Sequence, residues 1–331
     1  EHKHNNDESK DNNNNTEARN VAAHYNARAD LGKRKRVESR VFNLRKFNNW
    51  VKSVFIAEYA RSGQAVLDLA GGKGGDLLKW QNARISQYVL VDIASNSVYD
   101  ALNRYNELRN PPFSALFASA DCGKIGFLDK LPEELQFDTV SCQFALHYCF
   151  ETEERAKGFV HNVATKLKPG GYFIGTMPSA NRVVDRLQRS GKLSFGNSLY
   201  HVDFERKDEF PKYGAKYYFT LEDSVDNCPE YLVNWETFCD LCSEHGLTPV
   251  IKLNFGDVYE KYKKTHAGLL NNMGVVDRSG HLVLSKEEWE VATLYTAFAF
   301  QKKPSEDNNQ RSSKLVLGAP RKVSEEEVLL L

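Results

Sequence analysis

No apolar run in this 331-residue chain approaches the roughly 20 residues that a bilayer-crossing helix needs, and the opening EHKHNNDESK lacks the apolar core of a signal peptide. A soluble, intracellular protein with no membrane partner is the expectation. Neither sign of charge predominates: Lys+Arg and Asp+Glu both total 44, so the formal net charge is zero. No global positive field exists to hold nucleic acid non-specifically, and any binding of RNA or phosphate must come from a local cluster. Cysteine is sparse, six residues scattered through the chain rather than set out as a disulfide framework, so reduced thiols are expected. Cys239 and Cys242 form a lone C-x-x-C followed by His245, with no second pair of ligands at zinc spacing, and no metal is expected.

What is present is of average globular kind, with 41% hydrophobic and 27% charged residues, which excludes a mostly disordered or fibrous chain. The length suffices for one large domain or two small ones. Residues 1–20 hold seven Asn and a single apolar residue, Ala18, and read as a disordered polar tail that cannot offset chain entropy by burial. From Pro304 onward the chain is again polar, with apolar runs too brief for a core element, so 304–331 is expected to be a flexible tail. No repeat or long linker divides the rest, which reads as one domain over 21–303.

Within that domain RKFNNWVKSVFIAEYARS (45–62) sets Phe47, Trp50, Val51, Val54, Phe55 and Tyr59 on one stripe at helical spacing. Short β-rich runs follow in alternation with helical ones: AVLDLA (65–70), YVLVDI (88–93), ALFASA (115–120), FDTVSC (137–142) and GYFIGT (171–176). That rhythm predicts βαβ units and a parallel sheet of the α/β class, with helices capped at Ser95 and Thr152. PVIKLNF (249–255) and LYTAFAF (294–300) read as two last strands. The stretch 191–234, rich in Tyr, Phe and charge, lacks the rhythm and reads as an insertion of antiparallel strands.

The first strand runs into Asp68-Leu69-Ala70-Gly71-Gly72-Lys73-Gly74-Gly75-Asp76, a glycine-dense turn opening a helix, where a nucleotide-type ligand can approach bare backbone at a positive helix end. From Ala70 it reads A-x-G-x-x-G, near the dinucleotide fingerprint, while the P-loop pattern fails. Asp92 ends the second strand, where a carboxylate can take the hydroxyls of a ribose, and Asp121 follows the third, where an acid can receive an adenine amino group. The fourth strand ends in CQFALHYC (142–149), with His147 and Tyr148 at the crevice. No Ser/His/Asp or Cys/His nucleophile signature appears, so chemistry by positioning is favoured, and the acid before the glycine turn together with Asp92 fits S-adenosylmethionine.

The segments HYNAR (24–28), SRVFNLRKFNNWVKS (39–53), VLDLAGGKGGDLLKW (66–80), VDIASNSV (91–98), SCQFALHY (141–148), PGGYFIGTMP (169–178), CPEYLV (228–233) and SKEEWEVATLYTAFAF (285–300) together resemble the eukaryotic mRNA cap guanine-N7 methyltransferases, over roughly 21–301. The resemblance implies a Rossmann-like class I S-adenosylmethionine-dependent methyltransferase fold, with Lys52, the backbone of Ala70, Asp92, Asp121, Gln143 and Tyr148 around S-adenosylmethionine. It implies that Asn48, Asn49, Lys73, Lys79, Arg104, His147, Glu230 and Tyr295 face the cap of a GpppN-capped RNA. Lys73, Lys79 and Arg104 suit a triphosphate bridge, and Glu230 suits guanine N1 and N2. It further implies nuclear residence and contact with the transcription and capping machinery; a monomer is expected, and KRKR (33–36) reads as an import signal, a solvated surface or a phosphate contact. The family's usual loop D-L-G-C-G-K-G-G stands here as D-L-A-G-G-K-G-G; if position 70 needs a positive φ or close contact with the methionine moiety, alanine there costs cofactor affinity, with Gly71 and Gly72 able to relieve the strain. An inactive cap- or RNA-binding scaffold, an NAD-dependent oxidoreductase on the same sheet, and a methyltransferase acting on other substrates are the rival readings.

Overall fold

A computed structural model describes residues 38–304 and 315–331, together with Ala23. The readings of residues 1–20, HYNAR and KRKR lie outside the described residues. In chain order the elements are α1 (Phe42–Tyr59), β1 (Ala65–Leu69), α2 (Leu77–Asn82), β2 (Gln87–Asp92), α3 (Ser95–Asn106), β3 (Ser114–Ser119) and β4 (Phe137–Gln143). There follow α4 (Glu153–Thr165), β5 (Leu167–Pro178), α5 (Ala180–Ser190), β6 (Ser194–Gly196), β7 (Tyr200–Phe204), β8 (Lys216–Leu221), β9 (Val225–Tyr231) and α6 (Trp235–Glu244). The last are β10 (Leu247–Asn254), α7 (Phe255–Tyr262), α8 (Ala267–Asn272), α9 (Lys286–Ala292), β11 (Tyr295–Lys302) and β12 (Leu329–Leu330).

Eight strands form one sheet in the order β10-β11-β5-β4-β1-β2-β3-β12. β1 to β5 run parallel, and β11 returns antiparallel along β5 with β10 outside it. Successive residues on a strand face opposite sides, so each central strand feeds two cores. Val66, Tyr88 and Leu90 pack with Phe47, Trp50, Val54 and Leu102 on one face, while Leu67, Val89 and Val91 pack with Phe159, Val163 and Phe238 on the other. Helices therefore cover both faces, as the strand rhythm predicts. The chain steps outward from β1 to β2 and β3, then returns to lay β4 on the other side of β1. Ligands of such sheets bind at this reversal, outside the carboxyl ends of the strands. Here β1 and β4 end side by side, Leu69 opposite Cys142, so the loops after them share one crevice.

Local chemistry sets the helix starts. Thr152 Oγ1 accepts from the Arg155 amide at 3.2 Å, and Glu153 and Glu154 lie in the first turn of α4, where acids suit the positive helix end. Ser95 differs from the sequence reading: it is the first residue of α3, Ala94 holds the cap position and no side chain caps it. Asp92 on the preceding strand takes the Ala94 amide instead, at 2.8 Å. Helix α1 also lacks a local cap, and its Leu44 amide donates 2.9 Å to the buried carboxylate of Glu288, which closes a capping box with Ser285 at the head of α9. One carboxylate thus serves two helix starts and fixes α1 against the sheet.

A second sheet, β6-β7-β8-β9, is wholly antiparallel and lies within the stretch read as an insertion. The far end of the chain departs from its reading as a flexible tail. Residues 315–331 lie along the β3 edge: Leu329 pairs with Ala118 and Leu330 with Ser119, Gln87 Oε1 accepts from the Val316 and Leu317 amides, and Asn106 exchanges two hydrogen bonds with Val323. Val323 and Val328 are buried there. Two isolated valines suffice because β3 offers an open ladder edge and Gln87 and Asn106 supply the missing polar partners.

Candidate functional site

The crevice divides into two cavities that share the glycine loop. The first is lined by Ala70, Ile93, Asp121, Cys122, Tyr148, Cys149, Arg155, Pro229 and Tyr231 among others. Ala70 has φ +53°, a left-handed conformation that costs an L side chain and meets one of the two conditions the sequence reading set for this position. A Cβ at Gly71 would meet Leu90 side-chain carbons at 2.8 Å, so a larger residue here requires the Leu90 side chain to shift. Asp92 sits at the loop's base, its Oδ2 accepting from the Gly72 amide at 2.8 Å, and burial raises its pKa. A carboxylate has more acceptor sites than the two amides fill, so it can still take ribose hydroxyls. Asp121 is held by the Arg155 guanidinium through two hydrogen bonds of 2.8 and 3.1 Å. Gln143 does not line this cavity: its amide donates to Ser141 Oγ and accepts from Thr176 Oγ1. The next residue, Phe144, has φ +58°, turning the chain sharply from β4 into the 146–151 helical turn.

The second cavity is an open cleft of about 900 Å³ whose lining includes Asn49, Gly71, Gly72, Lys73, Lys79 and Arg104, with Arg45 and Lys46 adding two further cations. Lys52, Lys79 and Asp76 knot its inner wall together. One oxygen, Asp76 Oδ1, accepts from Lys52 Nζ and from Lys79 Nζ, each at 2.7 Å, and Lys79 also donates to Asn49 Oδ1 at 2.9 Å. Two lysines hold the Asp76 carboxyl well below the usual carboxylate range against the opposing effect of burial. Burial, with Lys52 beside it, pulls Lys79 down. Asp68 lies beneath, 2% exposed, accepting from Tyr88 at 2.7 Å, and burial followed by the charge of Asp76 pushes its pKa up. Lys73 pairs with Asp100 at the surface, 2.8 Å.

β9 walls the first cavity. Pro229 and Tyr231 face the first cavity, and Glu230, alternating with them, turns the other way. The Tyr217 hydroxyl donates to Glu230 Oε2 at 2.7 Å, and Glu230 Oε1 lies 3.5 Å from the Tyr148 hydroxyl and 3.4 Å from His147 Nε2. That last approach lacks hydrogen-bond geometry, and both ring nitrogens of the buried His147 are without a hydrogen-bond partner. Tyr295 adjoins the cluster, its ring edge-on to Phe144 at 5.1 Å and its hydroxyl among the groups that raise the pKa of Tyr217 behind burial and Glu230.

Of the expected site residues, Ala70, Asp121 and Tyr148 line the first cavity and Asn49, Lys73, Lys79 and Arg104 the second. Lys52 and Asp92 brace the loop from either side, and His147 and Tyr295 gather about Glu230 of β9 and its partner Tyr217. Asn48 lines neither cavity, and its buried Oδ1 has no hydrogen-bond partner. Sequence reading missed Asp76, Tyr217 and Arg155. Asp76 had a signal, an acid closing the glycine turn between two lysines, whereas the other two have none short of the fold.

The chain matches the mRNA (guanine-N(7))-methyltransferase domain over residues 8–303. It is 43% identical over 293 residues to an mRNA cap guanine-N(7) methyltransferase of Cryptococcus neoformans, covering 85% of this chain and 47% of that protein. It is 42% identical to mRNA cap guanine-N(7) methyltransferase 1 of Oryza sativa, covering 89% and 84%, and 40% identical to the Schizosaccharomyces pombe protein of the same function name, covering 86% and 82%. The chain thus spans about half the length of the Cryptococcus relative and most of the other two.

Proposed function

The chain belongs to the mRNA (guanine-N(7))-methyltransferase family, and from that premise we propose that it transfers a methyl group from S-adenosylmethionine to N7 of the guanine in the GpppN cap of RNA. One observation carries the proposal: the 70–75 loop is common to a cavity floored by strand ends and to a cleft lined by five cations, Arg45, Lys46, Lys73, Lys79 and Arg104. A nucleoside donor and a polyphosphate acceptor would meet at that loop. The cation cleft is the local cluster that a neutral chain needs to hold phosphate.

The donor set fits S-adenosylmethionine: the Asp92 carboxylate for ribose hydroxyls, the Asp121 loop with apolar neighbours Ile93 and Cys122 for adenine, and Tyr148 toward the reacting end. When bound, it supplies an electrophilic methyl on a sulfonium. Guanine N7 carries a lone pair and no proton, so the chain needs no general base, and none is provided by the His147 and Tyr148 side chains in this reading. Glu230, held by Tyr217, accepts from guanine N1–H and N2–H, and Tyr295 and His147 bound the base. Lys73, Lys79 and Arg104 draw in the triphosphate. Rate then comes from alignment and from the field of fixed charges. A nuclear role follows from the same reading, since caps are completed on nascent transcripts.

The test is transfer of labelled methyl from S-adenosylmethionine to GpppN-capped RNA, followed by nuclease digestion. Labelled 7-methylguanosine cap is the expected product. Binding of S-adenosylhomocysteine with no transfer to the cap would overturn the proposal in favour of an inactive scaffold, and label elsewhere in favour of another substrate.

A further inference from the structure

The cation cleft is larger than a phosphate chain requires, and the guanine-facing residues His147, Glu230 and Tyr295 line no part of it. Its volume, about 900 Å³, is at the upper end of what a drug-sized ligand occupies. The extra length follows one face of α1. Ser53, Asn49, Lys46, Arg45 and Phe42 all line the cleft at helical spacing. Asn49 is tied to Lys79 at the phosphate end, and Phe42 lies about 10 Å further along the axis, at 1.5 Å per residue.

At that outer end the Phe42 ring is only half buried on the cleft wall. Lys46 folds back so that its Nζ lies 4.3 Å from the ring centroid while donating to Asn43 Oδ1. Met273 and Leu269, at the end of α8, complete an apolar rim. An aromatic face under a movable cation, continuous with a row of cations, is the arrangement that takes a base and its adjoining phosphate.

Resting on the reading of the cleft as the triphosphate site, we propose that Phe42 is the platform for the first transcribed nucleoside of the capped RNA: its base stacks on the ring and Lys46 swings to the neighbouring phosphate. Recognition there is by stacking, so the site accepts any of the four bases. Cap guanine, phosphate bridge and first nucleoside then occupy successive stations, two of them along α1.

Methyl transfer to GTP, which lacks that nucleoside, is compared with transfer to the dinucleotide GpppA. KM for GpppA should be about tenfold below that for GTP, the scale of one base stacked on one aromatic ring. Phe42→Leu should raise KM for GpppA to the GTP value, and Phe42→Tyr, which keeps the π face, should preserve the gap. Equal KM values in the wild-type protein, or a gap that survives Phe42→Leu, overturn the subsite while methyl transfer stands. No transfer to either compound overturns the underlying reading and the subsite with it.

Discussion

Ala70 and Gly71 show how two adjacent substitutions change a loop. The backbone at 70 is left-handed, and a Cβ at 71 would press on the Leu90 side chain, so the glycine stands where a neighbour would have to shift and the alanine where the backbone is strained. Ala70→Gly should raise the unfolding free energy by about 1 kcal/mol, measured by urea titration, because it removes that strain. Glu230→Ala should weaken activity on capped RNA far more than it weakens S-adenosylhomocysteine binding, and Asp92→Ala should do the reverse; calorimetric binding beside initial rates separates the two. Asp68 supplies a pH dependence. Its folded pKa is raised above the unfolded value of about 4, so the folded chain keeps a proton that the unfolded chain releases, and stability falls as pH rises from about 4 toward the raised value. Asp68→Asn should flatten that slope in thermal melts taken across pH. The placement of Asp92 and Asp121 at the ends of their strands was legible because strand ends carry their own signature. Tyr217 and Arg155 were not, because they act on Glu230 and Asp121 from 13 and 34 residues away, and nothing in a linear pattern joins them.

Among the elements, the parallel strands were the most legible, since both-face burial writes near-continuous apolar runs whose bounds the structure shifts by only a residue or two at most ends. Helix starts were less so, as Ser95 illustrates: its side chain competes with an Asp92 carboxylate three positions back that sequence rules do not weigh. β12 was missed outright. A two-residue strand has no periodicity to detect, and its stability comes from the β3 edge, Gln87 and Asn106 rather than from its own composition. Removal of residues 315–331 should therefore lower the melting temperature by several degrees, at about 2–4 °C per kcal/mol for a domain of this size. Differential scanning calorimetry of the two chains checks this, and an unchanged melting point would mean that the docked segment adds nothing to the fold.

For the molecule as a whole, a net charge of zero conceals a local cluster: five cations line one cleft, with Asp223 also in the lining and with Lys73 and Lys79 paired to Asp100 and Asp76. Affinity for the capped RNA should accordingly fall with salt while that for S-adenosylmethionine barely changes. Each single-strand phosphate contact adds roughly −0.7 to the log–log slope, so three contacts give about −2, measurable from KM values between about 50 and 200 mM salt. The fold also joins residues distant in sequence. Asn106 and Val323 stand 217 residues apart in sequence, so their meeting carries a loop-closure cost repaid only after β1 to β3 are in place. The Leu331 amide reaches the Ser119 carbonyl, two residues before Asp121, so this late contact lands beside the wall of the first cavity. The segment that covers the open β3 edge therefore also borders the first cavity, and loss of that pairing would leave a bare strand edge two residues from a cavity wall.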